Sequence, residues 1–202
     1  MRKTLFIAFL CLFSLTMQAQ DKAMLDRILQ TNSAVKSFET DLTNILAKHD
    51  GTTNRQTGTL YFSAPDRFAA LFTTGKHMIV NVDHMKVNMG IFNGKFKLRS
   101  SGMMRSLGNI FLYGFQGRCE DLAKENDYSI KVSEKGPYQQ VYCTNNRRSI
   151  FGIGYKTVIF NYDKDTLLIK EIILIDNKDN VDTYTISNTK WNTAVKDSVY
   201  AF

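Results

Sequence analysis

Three residue types are scarce in this sequence of 202: it has two prolines, three cysteines and one tryptophan. Both prolines stand at turn positions, in Ala64-Pro65-Asp66 and Gly136-Pro137, so no proline-rich linker divides the chain. There is no CxxC pair, no zinc spacing, no HExxH, no G-x-S-x-G, no P-loop and no GxGxxG before a helix, which removes the common metal, nucleophile and nucleotide chemistries. The three histidines, His49, His77 and His84, stand in no ligand spacing. His49-Asp50-Gly51 looks like a catalytic fragment, yet Asp-Gly is common in a polar turn. Asp163, Asp165, Asp176, Asp179 and Asp182 suggest a calcium loop but lack its glycine and closing glutamate, so they read as turn residues. A run of Lys or Arg is also missing. The formal charge of +7 reads as mild and spread out, which argues against nucleic acid and allows a modest attraction to anionic lipid. No metal, no cofactor and no catalysis are expected.

The chain has one long apolar run. Behind the basic start Met1-Arg2-Lys3, Leu5 to Leu15 is almost wholly apolar, and the small Ala19 follows. That order is a secretory signal peptide at residues 1–19, its greasy core about half the roughly 20 residues a spanning helix needs. Cys11 reads as an ordinary apolar residue of that leader. Lipidation needs small residues just before the cysteine, and Phe9 and Leu10 stand there. Residues 20–202 then form a single domain, expected in the periplasm. Its remaining cysteines, Cys119 and Cys143, are read first as a disulfide in that oxidising compartment, with two separately buried thiols as the other reading.

The rest of the pattern is mainly β. A helix is expected over Asp21–Gln30, with Leu25, Ile28 and Leu29 on one face. About nine to eleven short strands with period-two alternation follow, separated by turns, the signature of a barrel or sandwich. Residues 101–125 differ. Met103, Met104, Leu107, Ile110 and Phe111 fall at helical spacing, and Gly102, Gly108, Gly114 and Gly117 punctuate them, so short mobile helices are expected there. On the strands, Leu60, Phe62 and Ala64 share a face, as do Phe68, Ala70 and Phe72. Ordinary core packing is the commoner fate of such residues.

Three stretches resemble the LolA-like proteins, the periplasmic carriers of outer-membrane lipoproteins. One is the amphipathic helix leading into a strand, LDRILQTNSAVKSFETDL. Another is Gly58-Thr59-Leu60-Tyr61-Phe62-Ser63-Ala64-Pro65-Asp66-Arg67-Phe68. The last is the closing run KEIILIDNKDNVDTYTISNTKWNTAVKDSVYAF. The resemblance implies an α+β fold: an unclosed, strongly curved antiparallel β-barrel with an N-terminal helix and a short helical lid. It implies a monomer that takes lipoprotein acyl chains into an apolar hollow, receives them from an inner-membrane ABC transporter and passes them to an outer-membrane receptor. The wall of that hollow would be Leu25, Ile28, Leu60, Phe62, Phe68, Phe72, Met78 and Val80. The lid would carry Met103, Met104, Leu107, Ile110 and Phe111, filling the hollow when empty and moving aside for cargo.

The sequence departs from the family twice. Ala64 stands where many members have the arginine that helps lock the lid, and Val82-Asp83-His84-Met85-Lys86-Val87 lacks their Asp-Gly turn and aromatic strand. These departures leave room for a lipid-sensing, lipoprotein-sensing or glycolipid-related binding module on the same fold. A small barrel enzyme would need a polar cluster inside the hollow, and the sequence offers none. An interior packed solid by its own side chains, with no opening under 101–125, would end the transport reading, unless the segment that fills it is the lid itself, which moves aside for cargo.

Overall fold

The computed structural model describes residues 20–90, 93–146 and 154–202. The signal peptide expected at 1–19, with Cys11, lies outside them. A first helix, α1, runs over 20–33. The strands are β1 (Ser37–Ala47), β2 (Thr53–Ser63), β3 (Arg67–Phe72), β4 (His77–Asn81), β5 (His84–Asn88), β6 (Asn93–Lys97), β7 (Tyr128–Lys135), β8 (Tyr138–Asn145), β9 (Tyr155–Asp163), β10 (Ile169–Asp176) and β11 (Val181–Trp191). Two helices, α2 (Gly102–Gln116) and α3 (Cys119–Asn126), connect β6 to β7.

The eleven strands form one antiparallel sheet in the order β6-β5-β4-β3-β2-β1-β11-β10-β9-β8-β7. Neighbours are consecutive in the chain everywhere except at β1 and β11, whose pairing joins the two halves. The ends of the series, β6 and β7, stay unpaired with each other, so the barrel is unclosed as the resemblance implied.

Period-two alternation decides which side each residue takes. In β1, Phe38, Thr40, Leu42 and Asn44 are buried, while Asp41 is exposed. Register then carries apolar rows across the inner face. Leu60 lies opposite Ala70, Ala70 opposite Met78, and Met78 opposite Val87. In the other half, Tyr184 lies opposite Ile172, Ile172 opposite Phe160, and Phe160 opposite Val141. The inner faces of both halves, with Leu25 and Ile28 of α1, belong to one core cluster.

A smaller core lies on the outer face. The tail after β11 turns back, and its 3-10 turn, Asp197–Tyr200, brings Tyr200 against Ala69 and Ile79. The Tyr200 hydroxyl is 2.8 Å from Ser63 Oγ, and Arg67 Nη1 donates to Asp197 at 2.7 Å. Of the five aspartates read as turn residues, Asp163 and Asp176 end β9 and β10 and bond the turns that follow, whereas Asp182 lies within β11. Asp163 Oδ1 accepts from the Thr166 backbone N–H at 2.9 Å, and Asp176 Oδ1 accepts from Lys178 N at 2.8 Å.

Gly58 has a steric reason. A Cβ there would sit 2.1 Å from the carbonyl oxygen of Leu71, well inside contact distance, where β2 passes β3. Gly58→Ala should therefore force the two strands apart and cost about 3 kcal/mol, read as a lowered urea midpoint.

Candidate functional site: an apolar wall filled by one helix

The residues expected to line the hollow come together: Leu25, Ile28, Leu60, Phe62, Phe68, Phe72, Met78 and Val80 are all buried in one cluster on the inner side. Among the described residues no hollow of acyl-chain size opens against them. The space inside the sheet is taken by α2, and the cavity left among Leu42, Leu60, Phe111, Phe115, Ile172, Tyr184 and Ile186 has a volume of about 10 Å³. That is room for one water at most. A larger, open depression of about 500 Å³ is lined mainly by the polar Asp41, Thr43, Thr57, Thr59, Thr73 and Ser187, with Leu42, Leu71 and Phe72 among them.

Aromatic rings do the filling. Phe115 lies 5.2 Å from Phe38, 5.4 Å from Phe62 and 6.0 Å from Phe68, each edge-on. Phe111 lies 5.3 Å from Phe68 and 4.9 Å from Tyr184. Rings at such spacings gain about 0.5–1.5 kcal/mol per pair beyond their buried area. Of the expected lid residues, Met104, Ile110 and Phe111 are buried and Leu107 packs at the margin of the core. Met103 is corrected: it is 38 % exposed on the first turn, one step off the buried side. Phe115 is the residue that the spacing argument misses. Met104, Gly108, Phe111 and Phe115 continue one helical stripe, and reading Gly114 as a break cuts that stripe short.

The glycines also need correction. α2 is one continuous helix of 15 residues through Gly108 and Gly114. Only Gly117, with φ of 70°, ends it as a left-handed C-cap. Gly114 is there for clearance: a Cβ would meet the Phe160 ring at 2.6 Å and Ile172 Cδ1 at 3.1 Å. The glycines therefore set a close helix-to-sheet approach more than they break the helix.

Polar ties of α2 to the sheet sit at its C-terminal end. Gln116 Nε2 donates to the Pro65 carbonyl at 2.8 Å, and the Tyr162 hydroxyl donates to the Gly114 carbonyl at 2.9 Å. Pro65 follows Ala64 across a cis peptide bond. A glutamine from the helix thus reaches the turn between β2 and β3. The middle of α2 is tied to α3 instead. Tyr113 donates to Glu125 Oε1 at 2.7 Å, and Asn109 Nδ2 donates to Glu125 Oε2 at 3.0 Å. Burial, then the bond to Glu125, pushes the Tyr113 phenol up to about 12.

A polar cluster does lie on the inner face, contrary to the sequence reading. Asn44 and Tyr184 both donate to Asp182, and Gln56 Nε2 donates to Asn44 Oδ1 at 2.8 Å. Burial raises the Asp182 carboxyl above the usual carboxylate range, against those two donors. The cluster is spread over β1, β2 and β11, which is why no local motif announced it. Among the described residues, no group of His, Cys, Asp or Glu is arranged to hold a metal.

No family model matches the sequence, and no curated protein matches it. Solved structures do. MucB, in the complex of Pseudomonas aeruginosa MucA and MucB, superposes at a TM-score of 0.51 with 10% identity, over 91% of this chain and 61% of that one. An uncharacterised conserved protein from Thermus thermophilus gives 0.50 at 7% identity, over 90% and 93%. A LolA superfamily protein, NE2245 from Nitrosomonas europaea, gives 0.42 at 13% identity, over 88% and 97%. At such identities the likeness is one of fold. The resemblance to the LolA-like proteins holds at that level: the chain has the unclosed, curved antiparallel barrel with helical cover that the resemblance implied.

Cys119 and Cys143, expected first as a disulfide, are two free, buried thiols in this structure. Cys119 opens α3 and its Sγ lies 3.2 Å from the Tyr162 hydroxyl, which occupies it, while Cys143 packs inward from β8. Burial pushes the Cys119 thiol up to about 12 and raises Cys143 as well. An unfolded thiol titrates near 8.5, so the stability held by these protonated thiols is complete below about pH 8 and falls as pH climbs toward the folded value. Native protein at pH 8 should resist maleimide at both positions, and denatured protein should label both without reductant. Labelling that requires reductant would show the pair joined.

Proposed function

We propose that this protein binds the acyl chains of lipids or lipoproteins along its inner wall when α2 leaves it, and acts as a periplasmic carrier without catalysing a reaction. One observation carries the reading: a continuous apolar face contributed by both halves of the sheet is filled by a single helix, which is not part of the sheet. An acyl chain of about 16 carbons is worth on the order of 12 kcal/mol on leaving water, at about 0.8 kcal/mol per methylene. Exposing Met104, Ile110, Phe111, Leu112 and Phe115 would cost about 10 kcal/mol at roughly 2 kcal/mol each. The two terms are of one size. Cargo with two or three chains would displace the helix, and the helix would help expel cargo on delivery.

Carriage across the periplasm, loading from an inner-membrane ABC transporter and delivery to an outer-membrane receptor extend this reading and follow the resemblance. The polar cluster at Asp182 is bonded mainly within itself, Asn44 and Tyr184 donating to Asp182 and Gln56 to Asn44, with Gln56 Oε1 left buried without a partner. A second reading is a lipid- or protein-sensing module, favoured by the MucB structure, which was solved as a complex with MucA.

The test must ask whether α2 moves. An added Cβ at Gly108 would lie 3.5 Å from Val80 Cγ2, so Gly108→Cys with Val80→Cys should form a disulfide that pins the helix to β4. Oxidised, this variant should lose uptake of a fluorescent acyl-chain probe at least tenfold, and reduction should restore it. Protein purified from the periplasm should also carry lipid, identified by mass spectrometry. Uptake that is the same in the oxidised and reduced variant would refute the reading.

A further inference from the structure

The positive charge is not spread over the molecule as it first reads. Between Lys76 and Arg105 stand six Lys or Arg residues and one acid, Asp83, so this stretch holds +5 of the chain's +7. No run announces it, because the cations are separated by apolar residues. The hairpin of β5 and β6 gathers them. Lys86 lies directly opposite Lys95, and His84 directly opposite Lys97, all on the outer face. Arg99 and Arg105 follow, both exposed, in the connection to α2 and on its first turn.

Like charges opposite each other weaken a strand pair. Lysine on an edge strand such as β6 can serve to block unwanted pairing, but that purpose needs no lysine on β5. Nor are the charges neutralised from nearby. Asp83 pairs with His84 at 2.6 Å, and Asp197 pairs with Arg67 at 2.7 Å. Among the described residues, Lys86, Lys95, Lys97, Arg99 and Arg105 have no carboxylate within ion-pair distance.

Exposed apolar residues frame the same area. Val82, in the turn between β4 and β5, is 56 % exposed. It also has φ of 57°, the left-handed region that a β-branched residue seldom takes. The Leu98 N–H donates to the Asp83 carbonyl at 2.8 Å, so this turn abuts the end of β6 where Lys97 and Arg99 stand. Exposed Met103 lies four residues beyond Arg99. The ring of Phe202, also exposed, lies 6.4 Å from His84 and 5.7 Å from Lys95 Nζ.

We infer that the outer face of the β5–β6 hairpin, with the β4–β5 turn and the first turn of α2, docks on an anionic phospholipid surface. Cations and exposed apolar side chains together suit the headgroup boundary: lysines stay among phosphates while Val82 and Met103 enter the outer apolar layer. An acidic polypeptide would use the charge and have less use for the apolar rim. The inference stands apart from acyl-chain binding, since it concerns the outer face.

Sedimentation of the purified protein with vesicles tests it. At low salt the protein should bind vesicles of phosphatidylcholine mixed with phosphatidylglycerol and not vesicles of phosphatidylcholine alone. Each of Lys86→Gln, Lys95→Gln and Lys97→Gln should weaken binding about fivefold. The triple variant should lose it without lowering the melting temperature, because repulsion is removed. Val82→Asp and Met103→Asp should each weaken it at least fivefold as well. The acyl-chain probe should bind the lysine variants and Val82→Asp as it binds the parent, which separates failure here from failure of the carrier reading. No binding to anionic vesicles at low salt, or binding that survives the triple variant, would overturn the inference. Dependence on the lysines but not on Val82 or Met103, with full competition by polyglutamate, would assign the face to an acidic polypeptide and overturn it too.

Discussion

An apolar sheet face that curls without closing must be covered by something, and here one helix covers it. The frame is set at β1, which pairs along its length with β2 on one side and β11 on the other. From that seam both halves bend inward. The strands shorten on one side to five residues each in β4, β5 and β6, and the sheet stops before its edges meet. The missing closure is supplied by the chain itself, since the segment from β6 to β7 is the segment that forms α2 and α3. The rest of the interior follows from this. Gly114 must lack a Cβ because the Phe160 ring already occupies that place, and Phe115 must be large because three phenylalanines from β1, β2 and β3 surround the space it fills.

The strands were legible because alternation is a local property. Phe38 against Glu39, or Leu60 against Thr59, declares its face from sequence alone, and the register then follows from short turns. The nine to eleven strands expected become eleven. What depends on pairs distant in sequence was not legible. The cluster of Asn44, Gln56, Asp182 and Tyr184 exists only once β1 lies between β2 and β11. The charge on the β5–β6 hairpin appears only when Lys86 is set opposite Lys95. Gly108 and Gly114 mislead because glycine has two meanings in a helix, a break in the backbone or room for a neighbour, and a sequence does not distinguish them. The filled interior was hidden for a related reason. Wall residues look the same whether they face a hollow or a ring of phenylalanine.

The two ends of α2 are held by different physics, and that asymmetry gives opening a direction. At the C-terminal end, hydrogen bonds from Gln116 and Tyr162 fix the helix to the Pro65 turn and to β9. Both are short and at least partly buried, and breaking either gives up about 0.5–1.5 kcal/mol of net hydrogen bonding. Toward the N-terminal end, contact with the wall is apolar: Met104 in the core, Leu107 at its margin, and Gly108 beside Val80 and Leu98. Apolar contact has no preferred direction and can be replaced methylene for methylene by an acyl chain. A hydrogen bond cannot be replaced by one. Cargo would therefore lift the N-terminal half first, with the left-handed Gly117 and the Gln116 tie as the pivot. The bonds to Glu125 would then either carry α3 along or yield, and α3 is held to the β7–β8 side by buried Cys119 and Leu122. The helix would open beside β6, the edge that bears the lysines.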